Sequence, residues 1–154
     1  ARREFRNTHR VLIPDLRGFG RSAAPDDLIT MDRLADDVVA MLDHAGVTEP
    51  VTLGGLSMGG YVAFALWRRH PDRIARLILS NTRAIADTDE IRARREKLAA
   101  IVVKDGARIV AETMLPTLFG PDTNEHRPAV VDAVRNMILA NPPRGIAAVS
   151  RGLA

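Results

Sequence analysis

The sequence predicts an α/β fold in which parallel strands flanked by helices give way to an all-helical segment. Three observations carry this. From His9 to Asn81, short β-branched runs alternate with amphipathic helical stretches, the rhythm of parallel βαβ units. After Thr88 the chain reads as helices only. The 154 residues, 46% of them hydrophobic, are enough for one globular core. The expected division is a sheet-bearing core over residues 1–87 and a helical segment over residues 88–154.

The elements follow in order. Ala1 to Phe5 reads as the end of a helix. Arg10-Val11-Leu12-Ile13-Pro14 is the first strand candidate, and Asp15 to Ser22 after it is a loop whose glycines, Gly18 and Gly20, can take positive φ. Thr30 to Ala45 predicts a helix: Leu34, Ala35, Val38, Val39, Met41, Leu42 and Ala45 fall on one face, with Asp32, Arg33, Asp36, Asp37 and Asp43 on the other. Gly46 ends it. Pro50 to Gly54 reads as a second strand, Met58 to His70 as a helix apolar nearly all round and so buried, and Arg76 to Ser80 as a third strand. Breakers then mark four helical stretches. They are Thr88 to Lys104, Ala107 to Leu115 ended by Pro116, Pro128 to Ala140, and Arg144 to Ala154.

Composition removes several function classes. No run reaches the eighteen or so apolar residues that a membrane-spanning helix needs, and no signal-peptide pattern opens the chain, so the expected location is the cytoplasm. The absence of cysteine excludes disulfides, thiolate metal sites and cysteine nucleophiles. A pI near 10.1 overstates the basicity, because the net charge is only +3 and the excess is arginine, which does not titrate in the neutral range. Arginines interleave with aspartates and aromatics make up 4%, so no nucleic-acid footprint is expected. None of the four histidines has metal-ligand spacing with another, and neither metal nor cofactor is expected.

Chemistry concentrates between the second strand and the second helix, at Gly54-Gly55-Leu56-Ser57-Met58-Gly59-Gly60. This contains G-x-S-x-G in a strand-turn-helix context, the arrangement of a nucleophile elbow. A serine that attacks a carbonyl needs exposure, a base for its proton, and donors for the oxyanion. A sharp turn exposes Ser57. Gly55 and Gly59 flank it where side chains are expected to clash. The backbone N–H of Met58, at a helix N-terminus, supplies one oxyanion donor. The plainer alternative is a glycine-rich turn in which Ser57 only caps the helix.

Val11 to Ser22, Gly54 to Gly60 and His70-Pro71-Asp72-Arg73 together resemble the α/β-hydrolase fold superfamily. Within it the chain is most similar to the serine esterase and 3-oxoadipate enol-lactonase type, in which Ser-Asn-Thr after a strand leads into a helical cap, as Ser80-Asn81-Thr82 does here. The resemblance implies a partial α/β-hydrolase fold followed by a helical cap, present as an internal fragment. The family carries a His-Gly loop before the region of His9 and its catalytic Asp and His after the region of Ala154, so the expected base and acid lie outside this chain.

Ser57, then Asp87 or Asp122, then His126 match the order nucleophile, acid, base. However, His126 follows a polar turn, Gly120 to Glu125, with no strand to present its imidazole, and reads as a solvated loop residue. His44 and His70 read as helix-end residues, and Asp15 as a turn residue bonding local backbone N–H groups. In the helical segment most apolar positions serve packing; Met114, Leu118, Phe119 and Met137 are the candidates to line an acyl or lactone pocket.

The expected activity is hydrolysis of a small-molecule ester, lactone or related bond through an acyl-enzyme on Ser57. A homo-oligomer is left open. The alternatives are a non-catalytic α/β-hydrolase-like ligand-binding protein, or a cofactor-free haloperoxidase or acyltransferase of the same fold. Haloalkane dehalogenases and epoxide hydrolases fit less well, since they place Asp at the position of Ser57.

Overall fold

The apolar stripe read along residues 30–45 becomes the face on which the rest of the molecule packs. The computed structural model describes residues 2–5, 7–25 and 28–154. A short helix, α1 (Arg2–Phe5), precedes α2 (Met31–His44). Thr30 caps α2, its hydroxyl accepting from the Arg33 N–H at 3.2 Å, and Gly46 leaves the helix at φ +66°. Leu34, Ala35, Val38 and Leu42 of α2 are buried with Ile29 before it. They meet Val62, Ala65 and Leu66 of α3 (Met58–Arg69), Ile74 of the sheet, and Ala148 and Val149 from the far end of the chain.

The sheet has two parallel strands, β1 (Val51–Leu56) and β2 (Ile74–Ser80), connected through α3 and a 3-10 turn (Pro71–Arg73). Register pairs Leu53 with Leu77 and Leu56 with Ser80. Five helices follow: α4 (Asp89–Asp105), α5 (Arg108–Leu118), α6 (Pro121–His126), α7 (Pro128–Leu139) and α8 (Pro143–Leu153). Helix α4 packs on α8, and α5 on α7. Helix α8 then returns to the first half of the chain. Gly145 lies against the Gly18 carbonyl and Gly152 against the Ile29 carbonyl, approaches so close that a Cβ at either glycine would overlap backbone. The Ile29 N–H donates to the Ala148 carbonyl at 3.3 Å, and the Gly20 N–H to Asn141 Oδ1 at 2.9 Å.

Four expectations are corrected. Arg10–Pro14 is not a strand: no ladder partner lies alongside it among the described residues, and Val11, Ile13, Asp37, Val38 and Met41 instead border a cavity of about 780 Å³. Pro116 does not end α5, which runs to Leu118, because a proline near a helix end removes one N–H and only the last turn remains to be made. Residues 121–126 form a helix rather than a loop; Pro121 stands at its start, Asp122 in its first turn and His126 in its last, each suited to the helix dipole. Helix α3 is not buried all round, since Trp67 is half exposed.

Arginine serves largely to pair with aspartate. Arg68 donates to Asp32 at 3.0 Å, Arg69 forks onto both oxygens of Asp36 at 2.9 and 2.7 Å, and Arg73 donates to Asp43 at 2.7 Å, tying α2 to the end of α3 and its following turn. Hydrogen bonds from Arg69 and then His70 hold the Asp36 carboxyl below its ordinary range. Among the described residues, no helix is long and apolar enough to cross a membrane.

Candidate active site

Strand β1 ends at Leu56 and α3 begins at Met58, so Ser57 alone makes the turn, at φ 51° and ψ −114°. A β-carbon in this region is strained, at a cost of roughly 1–3 kcal/mol, and persists only where the surroundings enforce it. Two backbone bonds do so. The Ser57 N–H donates to the Ser80 carbonyl of β2, and the Gly60 N–H donates to the Ser57 carbonyl, both at 2.9 Å. The side chain is exposed and makes no capping bond to α3, which removes the reading of Ser57 as a helix cap.

The glycines around the turn divide differently from expectation. A Cβ at Gly55 would collide with the carbonyl of Gly59 and the nitrogen of Gly60, all rigid backbone. At Gly59 itself a Cβ meets open space, so the expected clash there is corrected: its contribution is the carbonyl lying against Gly55. The sequence reading missed Gly60, whose Cβ would strike Thr82. The Thr82 hydroxyl is buried against it with no protein partner. Also missed was Asn81, the other described non-glycine residue at positive φ (44°). Because Leu56 pairs with Ser80, Ser57 and Asn81 leave the sheet side by side, each at positive φ. The signal was present in the Ser80-Asn81-Thr82 run, since asparagine is the side chain that best tolerates this conformation.

Met58 is the first residue of α3, where N–H groups have no acceptor within the helix and the dipole is positive. An anion developing next to Ser57 Oγ would meet that end of the helix.

Among the described residues no histidine is hydrogen-bonded to Ser57. His44 ends α2 and His70 follows α3, its Nε2 2.8 Å from Asp36. Both lie at the start of the sheet, where Arg73 also bonds the Val47 carbonyl and Val51 pairs with Ile74. The length of β1, about 16 Å at strand rise, separates that end from Ser57. His9 pairs with Thr8 at 2.8 Å and meets the Phe5 ring edge-on, while His126 is exposed and lies 3.5 Å from Asp122 on its own helix.

Asp87 is held elsewhere. Its carboxylate, 8% exposed, accepts from Arg83 at 2.7 Å and, closer still, from Arg95 Nε. Arg95 first and then Arg83 hold this carboxyl below the usual range. Asp15 behaves as a turn residue: Oδ2 accepts from the Arg21 N–H at 3.1 Å and its carbonyl from the Ser22 hydroxyl at 2.6 Å. Met114, Leu118 and Met137 are exposed on α5 and α7, with Phe119 half-buried after α5. They line neither the cavity beside Val11 nor a second one, of about 420 Å³, under Tyr61, Phe64 and Trp67. Among the described residues no cluster could hold a metal ion.

A family model described as alpha/beta hydrolase fold matches residues 3–149. Over 151 residues, 97% of the chain, the sequence is 30% identical to 3-oxoadipate enol-lactonase 2 of Acinetobacter baylyi and covers 55% of that protein. A thermophilic esterase from Thermogutta terrifontis superposes with a TM-score of 0.97 at 44% identity, over 99% of this chain and 56% of that one. The enol-lactonase from Burkholderia xenovorans LB400 superposes with a TM-score of 0.81 at 32% identity, over 90% and 52% of the two chains. The chain spans about half the length of the relatives it matches.

Proposed function

Because the chain belongs to the alpha/beta hydrolase fold family, we propose that Ser57 is the nucleophile with which the whole protein hydrolyses a small carboxylic ester or lactone. The observation that carries this is the conformation of Ser57: a non-glycine residue at φ 51°, exposed, with a hydroxyl free of any capping bond, between a strand and a helix N-terminus. Strain at such a position needs a use, and presenting Oγ to a carbonyl is one.

In the proposed reaction Ser57 Oγ attacks the carbonyl carbon and passes its proton to an imidazole base. The oxyanion forms against the Met58 N–H, and the intermediate collapses to an acyl-serine, expelling the alcohol with the proton the base received. Water, deprotonated by the same base, then releases the acid and restores the hydroxyl. A lactone follows the same course, its ring opening in the first step. The base and its carboxylate partner are proposed to come from beyond residues 1–154. Support for this lies in the four histidines, two at the far end of the sheet and two engaged on exposed local partners.

Residues 88–154 are proposed to form a cap that selects the substrate, with Met114, Leu118, Phe119 and Met137 facing the acyl or lactone group. The support is that α5 packs on α7 and that Met114, Leu118 and Met137 on these helices are open to solvent. Ser57→Ala in the whole protein is expected to abolish hydrolysis of short-chain nitrophenyl esters and small lactones while leaving the circular dichroism spectrum unchanged. Retained turnover in a folded variant would refute the assignment.

A further inference from the structure

The carboxylate of Asp87 joins elements that the sequence separates. On one side it takes Arg83, from the loop after β2; on the other it takes Arg95, from the second turn of α4. Arg83 also lies near Tyr61, one turn into the helix that begins at the elbow, the two bordering one cavity. The Arg95 carbonyl accepts from the Ser150 hydroxyl at 3.0 Å, and Ser150 is buried in α8. Helix α8 in turn lies glycine-to-backbone against Gly18 and Ile29. The connections run from α3 through the loop, α4 and α8 back to the loop that packs under α2.

We propose that Asp87 is a positioning residue, clamping α4 and α8 in one orientation relative to Ser57 and so fixing the shape of the substrate site. The role rests on the reading of Ser57 as nucleophile only for its effect on substrates; the clamp itself does not. Both carboxylate oxygens accept from guanidinium groups, and no described histidine is hydrogen-bonded to them, so positioning fits Asp87 better than service as the catalytic acid. The Asp87 side chain is 8% exposed, against 46% and 22% for Arg83 and Arg95, so it is the most enclosed member of the cluster. Changing it to Asn would remove the counter-charge that two guanidiniums share, one from the loop after β2 and one from α4, and so loosen what the carboxylate joins.

The test compares the whole protein with Asp87→Asn by hydrogen exchange and by ester kinetics. Amides of α4 and α8 should exchange roughly tenfold faster, with β1 and α3 unchanged. KM for a bulky ester should rise about fivefold while kcat for a short-chain ester changes less than twofold, and Asp87→Glu should recover part of the loss. Unchanged exchange in α4 and α8 would overturn the proposal. So would a fall in kcat of about a thousandfold or more at constant KM, which would make Asp87 the catalytic acid. If Asp87→Asn does not fold, Arg83→Gln decides: it keeps the Arg95 pair, and wild-type exchange in α4 would refute the clamp. Exchange needs no turnover, so this result stands apart from the fate of Ser57.

Discussion

At Gly55 a single hydrogen stands where any side chain would enter the backbone of the next helix, whereas at Gly59, four residues on, there is room. Gly55→Ala is therefore expected to cost about 3 kcal/mol, the upper end for overpacking against atoms that cannot move. Gly59→Ala should be neutral or stabilise by about 0.5 kcal/mol, since a methyl in the first turn of α3 meets nothing and restricts the unfolded chain. Urea unfolding of the two variants checks this, and equal destabilisation would contradict it. The pattern G-x-S-x-G made the turn at Ser57, the helix start at Met58 and the clash at Gly55 legible, because each is set within a few residues of chain. Gly60, Thr82 and Asn81 were not legible in the same way. Their importance arises where α3 meets the turn after β2, and no local spacing announces that meeting.

Helices were read within a residue or two where a cap and an amphipathic stripe coincide. Thr30 before α2 and Thr88 before α4 both use their hydroxyls to accept from the N–H three residues on, at 3.2 and 3.4 Å. The Thr30 bond is shorter and part-buried, while that of Thr88 is exposed and its hydroxyl also donates to Glu90. Thr30→Ala should accordingly cost about 1 kcal/mol and Thr88→Ala less than half of that. Thermal unfolding of the two variants should rank them in that order, and the reverse ranking would contradict the cap assignments. The expected strand at Arg10–Pro14 failed for a reason of the same scale: apolar β-branched residues make a strand only with a neighbour to bond, and composition does not reveal the neighbour. For the short helix at Pro121–His126, its polar composition suggested a turn, and its proline start and charge order were the signal passed over.

Over the whole molecule, the α/β class was legible from the alternation of strand and helix alone, and the two parallel strands flanking α3 are its direct outcome. The return of α8 onto the first half was not. It depends on Gly145 and Gly152, seven residues and so two turns apart on one helix face, meeting Gly18 and Ile29 more than a hundred residues away. Apolar surface also remains open on the sheet: Leu56 is 66% and Ile78 61% exposed, and Leu79, pointing to the opposite face from Ile78, is exposed as well. All of this frames one strained serine between the sheet and the helix N-terminus. The direct measurement is to treat the whole protein with an alkyl phosphonate ester probe and map the adduct by peptide mass spectrometry. One phosphonyl group per chain is expected, on Ser57, with loss of esterase activity in step with labelling. Labelling of another residue with equal loss of activity, or full activity after Ser57 is modified, would contradict it.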